Sequence, residues 1–233
     1  FRSQKPNMKN YEGKVAVITG STMGIGKSIA RALAEQGAKV VLNGRNVERM
    51  KAVQTAFEQD GYTVAAIPGD VSKLEDCQRL VEQTVETFGR VDILITNAGI
   101  NMWGRVEDTD PLTLKKVMDV NFLGTIWTIQ AAIPHLRQTQ GSVVMIGSIA
   151  GFHGLPLNSA YSASKRALMP MAEALKIELE GSGIYLGLAY VGLTEVEPEK
   201  RVLDTNGKPI PKPSIQSAKT EPIENVTRRV LNM

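Results

Sequence analysis

Val15-Ala16-Val17-Ile18-Thr19-Gly20-Ser21-Thr22-Met23-Gly24-Ile25-Gly26 decides the fold. Its first five residues form a short apolar run, the pattern of a strand buried on both faces. Thr19 to Gly26 is a glycine-rich turn, and a helical pattern from Gly24 to Gln36 follows it directly. Glycines let a backbone turn sharply and approach an anion closely. A helix N-terminus adds N–H donors and the positive end of its dipole, which suits a pyrophosphate. The spacing is Gly-x-x-x-Gly-x-Gly, not the Gly-x-Gly-x-x-Gly fingerprint, and Lys27-Ser28 follows too soon for a Walker A loop. Gly20, Ser21, Thr22, Met23, Gly24, Ile25 and Gly26 are therefore candidates for holding a dinucleotide, with a plain structural turn as the alternative.

The same alternation continues along the chain. Further β-branched runs occupy Lys39 to Asn43, Thr63 to Ile67, Val91 to Thr96, Ser142 to Ile146 and Ile184 to Tyr190. Helical patterns fill Val47 to Gln59, Lys73 to Phe88, Leu112 to Arg137 and Ser159 to Glu180. Strand then helix, repeated, implies right-handed βαβ units: an α/β fold with a doubly wound parallel sheet in three layers, α/β/α. Without a solenoid repeat or low-complexity linker, residues 1–233 read as a single domain. From Glu195 to Met233 the chain turns polar and holds five of the eleven prolines. That stretch reads as a long loop with one helix near Glu224 to Leu231, either a lid over the site or a plain tail. Pro170, inside the Ser159 to Glu180 pattern, removes a backbone bond to Arg166 and predicts a kink.

Bulk properties exclude several classes. Of 233 residues, 42% are hydrophobic and 22% charged, with 27 Lys and Arg against 24 Asp and Glu. Those charges are interspersed, so no nucleic-acid surface and no polybasic membrane arm is indicated. One cysteine, Cys77, rules out an internal disulfide framework and reads as a small core or surface thiol. No apolar run approaches the ~20 residues that span a bilayer. The polar start lacks a signal-peptide core, and Met8 reads as the natural start with Phe1 to Asn7 added ahead of it. A cytoplasmic protein is expected. His135 and His153 form no metal-ligand cluster, so no metal is expected.

Cofactor choice is read at the end of the second run, Val40-Val41-Leu42-Asn43-Gly44-Arg45. An NAD site wants an acid there for the ribose 2′-OH. No Asp or Glu lies between Gln36 and Val47, and Arg45 can grip a 2′-phosphate instead, which favours NADP(H). A solvated surface arginine is the alternative.

Tyr161-Ser162-Ala163-Ser164-Lys165 places a phenol and an ammonium at i and i+4, on one helix face. A neighbouring cation favours phenolate and lowers the phenol pKa toward the range useful for acid–base work. Chance supplies such pairs on many helices. Ser148, however, ends the fifth run, where ligands bind in open α/β sheets, and it can donate to the same carbonyl oxygen or merely cap a turn.

Taken together these motifs resemble the short-chain dehydrogenase/reductases in their compact single-domain form, over roughly Gly13 to Gly192. Thr19 to Gly26 is similar to that family's cofactor turn, Asp70-Val71 to its adenine-side pair, and Asn97-Ala98-Gly99 to its motif after the fourth strand. Asn121, Ser148, Tyr161 and Lys165 resemble its catalytic tetrad. The resemblance implies a Rossmann-type fold and hydride transfer between a nicotinamide and a carbonyl or secondary alcohol. It implies Tyr161 as the proton donor, Ser148 bonding the oxygen, Lys165 binding the nicotinamide ribose and lowering the Tyr161 pKa, and Asn121 holding a water. Tyr161 and Lys165 thus count among the cofactor contacts as well. A small-molecule carbonyl or alcohol is the implied partner, and a homodimer or homotetramer the implied assembly.

Two departures stand out. Tyr190-Val191-Gly192-Leu193-Thr194 replaces the family's Pro-Gly-threonine segment, with Thr194 early for a carboxamide contact. No final strand is expected before Met233. Pocket walls are expected from Met102 and Trp103, Ile149 to Leu155, and Tyr190 to Val196, mostly apolar, with His153 more a loop residue than a contact. Candidate substrates include a β-ketoacyl thioester, a sugar or polyol, a steroid, or a small ketone. A non-catalytic dinucleotide-binding regulator on the same fold is the alternative function.

Overall fold

Six β-branched runs pair edge to edge because their side chains are apolar on both faces. The computed structural model describes residues 11–195, 198–213 and 220–233. The expected start at Met8 and the wall residue Val196 lie outside them. Strands β1 (Val15–Ile18), β2 (Lys39–Gly44), β3 (Val64–Pro68), β4 (Ile93–Thr96), β5 (Ser142–Ser148) and β6 (Tyr185–Val191) form one sheet in the order β3-β2-β1-β4-β5-β6. Every pairing is parallel. Helices α1 (Gly24–Ala34), α2 (Val47–Gln59), α3 (Leu74–Phe88), α4 (Pro111–Met118), α5 (Gly124–Thr139), α6 (Ser159–Glu178) and α7 (Ile223–Leu231) cover it.

Side chains alternate across the sheet and build one core on each face. Ala16, Ile18, Val40 and Leu42 pack with Ile29, Leu33, Phe57, Val226 and Val230 from α1, α2 and α7. Val15, Val17, Val41, Leu94, Val143 and Met145 pack with Leu80, Leu136 and Leu168 from α3, α5 and α6. Each fully buried Leu, Ile or Val contributes about 1.5–3 kcal/mol. At the base of the sheet, buried Asp92 accepts from Val15 N (3.0 Å), Lys14 Nζ (3.1 Å) and Arg90 Nε and Nη2 (2.7 and 2.6 Å), joining β1 to the approach to β4.

Two expectations change. Leu112 to Arg137 is not one regular helix: α4 and α5 are joined by a π-turn, Asp119–Leu123. Periodicity could not foresee it, because Asn121 is drawn out of register by bonds to a distant backbone. The expected loop after Glu195 contains a hairpin, β7 (Arg201–Leu203) and β8 (Pro209–Pro211). Its turn is closed by Asp204 Oδ1, which accepts from Asn206 N (2.9 Å) and Lys208 N (2.8 Å), while Gly207 takes φ +75. Pro170 lies inside α6, on its exposed face, and the helix runs on through it from Ser159 to Glu178. The expected last helix is α7, fastened to α1 by Thr227 Oγ1 donating to Ser28 Oγ (2.8 Å). Among the described residues no seventh strand joins the main sheet. No described helix is long and apolar enough to cross a membrane.

Candidate active site

Strand order reverses between β1 and β4, and a crevice opens beyond their carboxyl ends, where open α/β sheets bind ligands. Asn97 staples the two strand ends: its Nδ2 donates to the carbonyls of Thr19 and Gly20, both at 3.0 Å. Thr19 Oγ1 accepts from Asn97 N and Ala98 N, both at 3.0 Å. Gly20 must be glycine here, because its φ is +63 and a Cβ would sit 2.8 Å from Ala98 Cα. Gly26 packs equally closely on Asn97 and the Gly20 carbonyl. Ser21 is buried and fixes the turn rather than facing the cleft: its Oγ donates to Ile18 O (2.8 Å) and accepts from Asn43 N (3.0 Å).

Gly24 opens α1 with φ +55, and a Cβ there would meet nothing within 4 Å. Met23 precedes it with no side-chain cap, and no acid stands in the first turn. This is a cradle suited to an anionic group. The cleft is lined by Gly20, Thr22, Met23, Gly24 and Ile25, then by Arg45, Asp70, Val71, Asn97, Ala98 and Gly99, and reaches Thr194. Of the sequence candidates for cofactor binding, only Ser21, Gly26, Tyr161 and Lys165 are not on that wall. The first two shape the turn and the last two stand behind the wall's far end.

Arg45 lies half-exposed with Nη1 3.7 Å from Asp70 Oδ2. Asp70 is itself held by Ser72, whose N–H and hydroxyl donate to Oδ1 at 3.1 and 2.8 Å. A second guanidinium escaped the sequence reading. Arg49, in the first turn of α2, lines the same cleft and reaches Met23 Sδ with Nη1 at 3.5 Å. The Asn46 side chain caps α2 by accepting from Arg49 N (2.8 Å), and so sets where that arginine begins. The signal was available: an Asn cap places Arg49 in the first turn, and helix side chains lean toward the helix N-terminus.

Asn121, Ser148, Tyr161 and Lys165 come together at the other end. In the π-turn, Asn121 is fully buried; Oδ1 accepts from Ile100 N (2.8 Å), and Nδ2 donates to Ile100 O and Ser164 Oγ (both 2.9 Å). Ser164 in turn donates to Tyr161 O (2.7 Å), so Asn121 braces the turn of α6 that carries the phenol. Ser164 had no role in the sequence reading. Ser148 caps its turn, the alternative role foreseen for it: Oγ accepts from Ala150 N (3.2 Å), and it stands close enough to the Tyr161 phenol to pull that group's pKa down. Gly151 lets this turn sit against α6, since a Cβ would lie 3.0 Å from the Lys165 carbonyl carbon.

Lys165 is 5% exposed and donates from Nζ to Ile146 O (2.7 Å). Burial, with a smaller push from the like charge of Lys200, draws its pKa down to about 8. The Tyr161 phenol departs from expectation. Burial pushes its pKa up, and the opposing pull comes from Ser148, not from Lys165. The reason is geometric: the ammonium is turned toward the Ile146 carbonyl. A built Cβ at Gly99 would lie 3.6 Å from Lys165 Nζ and 3.4 Å from Asn121 Oδ1, so the cleft wall ends directly above this group.

The apolar surroundings follow in part. Met102 is buried, and Tyr161 packs with Met102, Val117 and Leu203. Ile149, Phe152, Leu155 and Leu193 are exposed, and the Phe152 and Tyr190 rings lie 4.6 Å apart. His153 is exposed, as a loop residue would be. Among the described residues no group of three or more His, Cys, Asp or Glu could hold a metal ion.

Comparison with known proteins places this geometry. A family model described as short chain dehydrogenase matches residues 14–206. An 11-beta-hydroxysteroid dehydrogenase-like 2 protein of Arabidopsis thaliana is 40% identical over 175 residues, which is 74% of this chain and 57% of that protein. The chain thus spans little more than half of that relative's length. A dehydrogenase/reductase from Sinorhizobium meliloti 1021 superposes with TM-score 0.82 at 31% identity, covering 94% of this chain and 87% of the other. An alcohol dehydrogenase from Thermococcus sibiricus, complexed with 5-hydroxy-NADP, superposes with TM-score 0.81 at 27% identity, covering 94% and 89%.

Proposed function

The chain belongs to the short-chain dehydrogenase family, and on that premise we propose that it is an NADP(H)-dependent oxidoreductase acting on a carbonyl or secondary alcohol, with Tyr161 as acid/base. The observation that carries the proposal is the convergence of Ser148, Tyr161 and Lys165 beside the end of the glycine-lined cleft. When bound, the nicotinamide would supply or accept the hydride at the carbonyl carbon.

The chain's own residues do the rest. Tyr161 Oη gives its proton to the carbonyl oxygen in reduction and takes it back in oxidation. Ser148 donates to that same oxygen, stabilising the charge that grows there. Its anchor to Ala150 N keeps it from reorganising during the step. Lys165, its Nζ 2.7 Å from Ile146 O and its pKa drawn to about 8, stays mostly charged at neutral pH and would bind the nicotinamide ribose. Asn121 positions rather than reacts, holding the Tyr161 turn through Ser164. The turn Gly20 to Gly26, Asp70, Val71, Asn97 to Gly99 and Thr194 would hold the dinucleotide. Arg45, joined by Arg49, would hold its 2′-phosphate; the Thermococcus relative complexed with 5-hydroxy-NADP supports that choice.

The apolar side chains of Met102, Ile149, Phe152, Leu155 and Leu193, from the segments expected to wall the substrate pocket, support an apolar carbonyl compound, and the steroid dehydrogenase relative makes a steroid-sized ketone the first to assay. A homodimer or homotetramer and a cytoplasmic location are proposed with it on family membership. A carbonyl panel followed by NADPH absorbance tests the proposal. Turnover is expected; tight NADPH binding with no turnover on any ketone would point to a dinucleotide-binding regulator instead.

A further inference from the structure

The hairpin β7–β8 is bolted to the body of the protein. Leu203 N donates to Asn101 O (2.8 Å), and Trp103 N donates to Leu203 O (2.7 Å), so β7 runs as a neighbour of the segment after β4. Asp110 N donates to Thr205 O (2.9 Å), fixing the turn to the start of α4. Val202 is 2% exposed. A fixed strand aims the residue just before it, and that residue is Lys200, which lines the cleft together with Thr194 and Glu195.

Charge in the cleft is uneven. Among the described lining residues, Arg45 and Arg49 stand with Asp70 at one end, while Lys200 and Glu195 stand at the other. Lys165 lies behind that second end, near enough for the Lys200 charge to add to the lowering of its pKa. The glycine turn opposite contributes Gly20, Thr22, Met23, Gly24 and Ile25, none of them charged. An anion entering this end meets the Lys200 ammonium and the Glu195 carboxylate on the wall and a neutral cradle, with the Lys165 charge buried behind the wall. The net field favours it, and a poorly solvated cleft strengthens that field.

We propose that Lys200, delivered by the β7–β8 hairpin, is the cationic contact for an anionic oxygen group at the Tyr161 end of the cleft. The group is a phosphate or carboxylate oxygen, from the cofactor's diphosphate or from an acidic substituent on the substrate. This rests on the dinucleotide reading of the cleft. Lys200 is a specificity residue under it, not an acid or base.

Lys200→Gln tests it, with Lys208→Gln as the control: Lys208 is on the same hairpin but not on the cleft wall. Dissociation constants for NADPH and NADH are read by fluorescence at low and high salt. KM is read for a neutral ketone and for its carboxylate-bearing analogue. Loss of one charge-assisted contact weakens binding by about tenfold, less at high salt. A rise in Kd for both nucleotides assigns the diphosphate; a rise in KM confined to the carboxylate-bearing ketone assigns the substrate. Kd and KM all within about twofold of the parent, or an equal effect from Lys208→Gln, overturns the proposal. If the unmodified chain binds neither nucleotide, the dinucleotide reading itself has failed, which a normal Kd in the variant cannot mimic.

Discussion

Replacing Lys165 by methionine should make the protein more stable while it stops working. A Lys165 pKa drawn from 10.5 to about 8 means the folded state carries the ammonium at a cost. At about 1.36 kcal/mol per pH unit, that cost is about 3 kcal/mol below pH 8. Methionine removes it and fills a similar volume. It also loses the bond to Ile146 O, worth about 1 kcal/mol net. The variant should then gain about 2 kcal/mol near neutrality, or roughly 5 °C in Tm for a chain of this size. The sign follows from linkage. Between 8 and 10.5 the unfolded chain keeps a proton that the folded chain has released, so parent stability rises with pH across that window. Below 8 the penalty is fully present. Urea unfolding of parent and variant from about pH 6 to 10.5 measures it, and the difference between them isolates Lys165 because other groups titrate in both. The gain should be flat below pH 8 and vanish by 10.5. A variant less stable than the parent at neutral pH, or a difference that ignores pH, refutes the reasoning.

Arg45→Asp should move cofactor preference from NADPH toward NADH by about 10–100-fold in Kd ratio, since a carboxylate repels the 2′-phosphate and Arg49 alone remains; an unchanged ratio would mean Arg45 is only surface charge. Asp92→Asn should cost about 1–2 kcal/mol, discounted because Lys14 and Arg90 are each about half exposed. Although burial pushes the Asp92 pKa up, its bonds from Arg90, Val15 and Lys14 outweigh that and hold it below the usual carboxylate value. Its contribution is therefore complete above the ordinary carboxylate range and lost as pH falls through the lowered value, so the variant's acid unfolding curve should be shallower than the parent's.

The sheet was legible because each strand carries its own signal. Val15 to Thr19 and Ser142 to Ile146 are short, rich in β-branched residues and apolar on both faces, which together favour a buried strand over a helix segment. α2 was readable end to end, since Asn46 caps it and its apolar residues recur at helical spacing. The hairpin was missed although Asn206-Gly207 between Val202 and Ile210 is a hairpin turn signal; the flanking prolines outweighed it. Pro209 and Pro211 are tolerated because β8 is an edge strand. The π-turn was not legible at all. It depends on Asn121 finding the Ile100 backbone, a contact between residues 21 positions apart. Tyr161, Lys165 and Ser148 could be named from spacing, but the direction of the Tyr161 shift could not, because burial and the Ile146 carbonyl are properties of the fold.

Everything proposed for this cleft turns on one hydroxyl. Tyr161→Phe removes it and leaves the ring's packing against Met102, Val117 and Leu203. Carbonyl reduction, followed by NADPH absorbance, should fall by about 10²–10⁴-fold. The Kd for NADPH, measured on the same protein by fluorescence, should stay within about twofold, because the substitution removes one hydroxyl and leaves the ring's packing and the glycine turn intact. Turnover within about tenfold of the parent would contradict the assignment of Tyr161 as the acid/base, and with it the proposed chemistry.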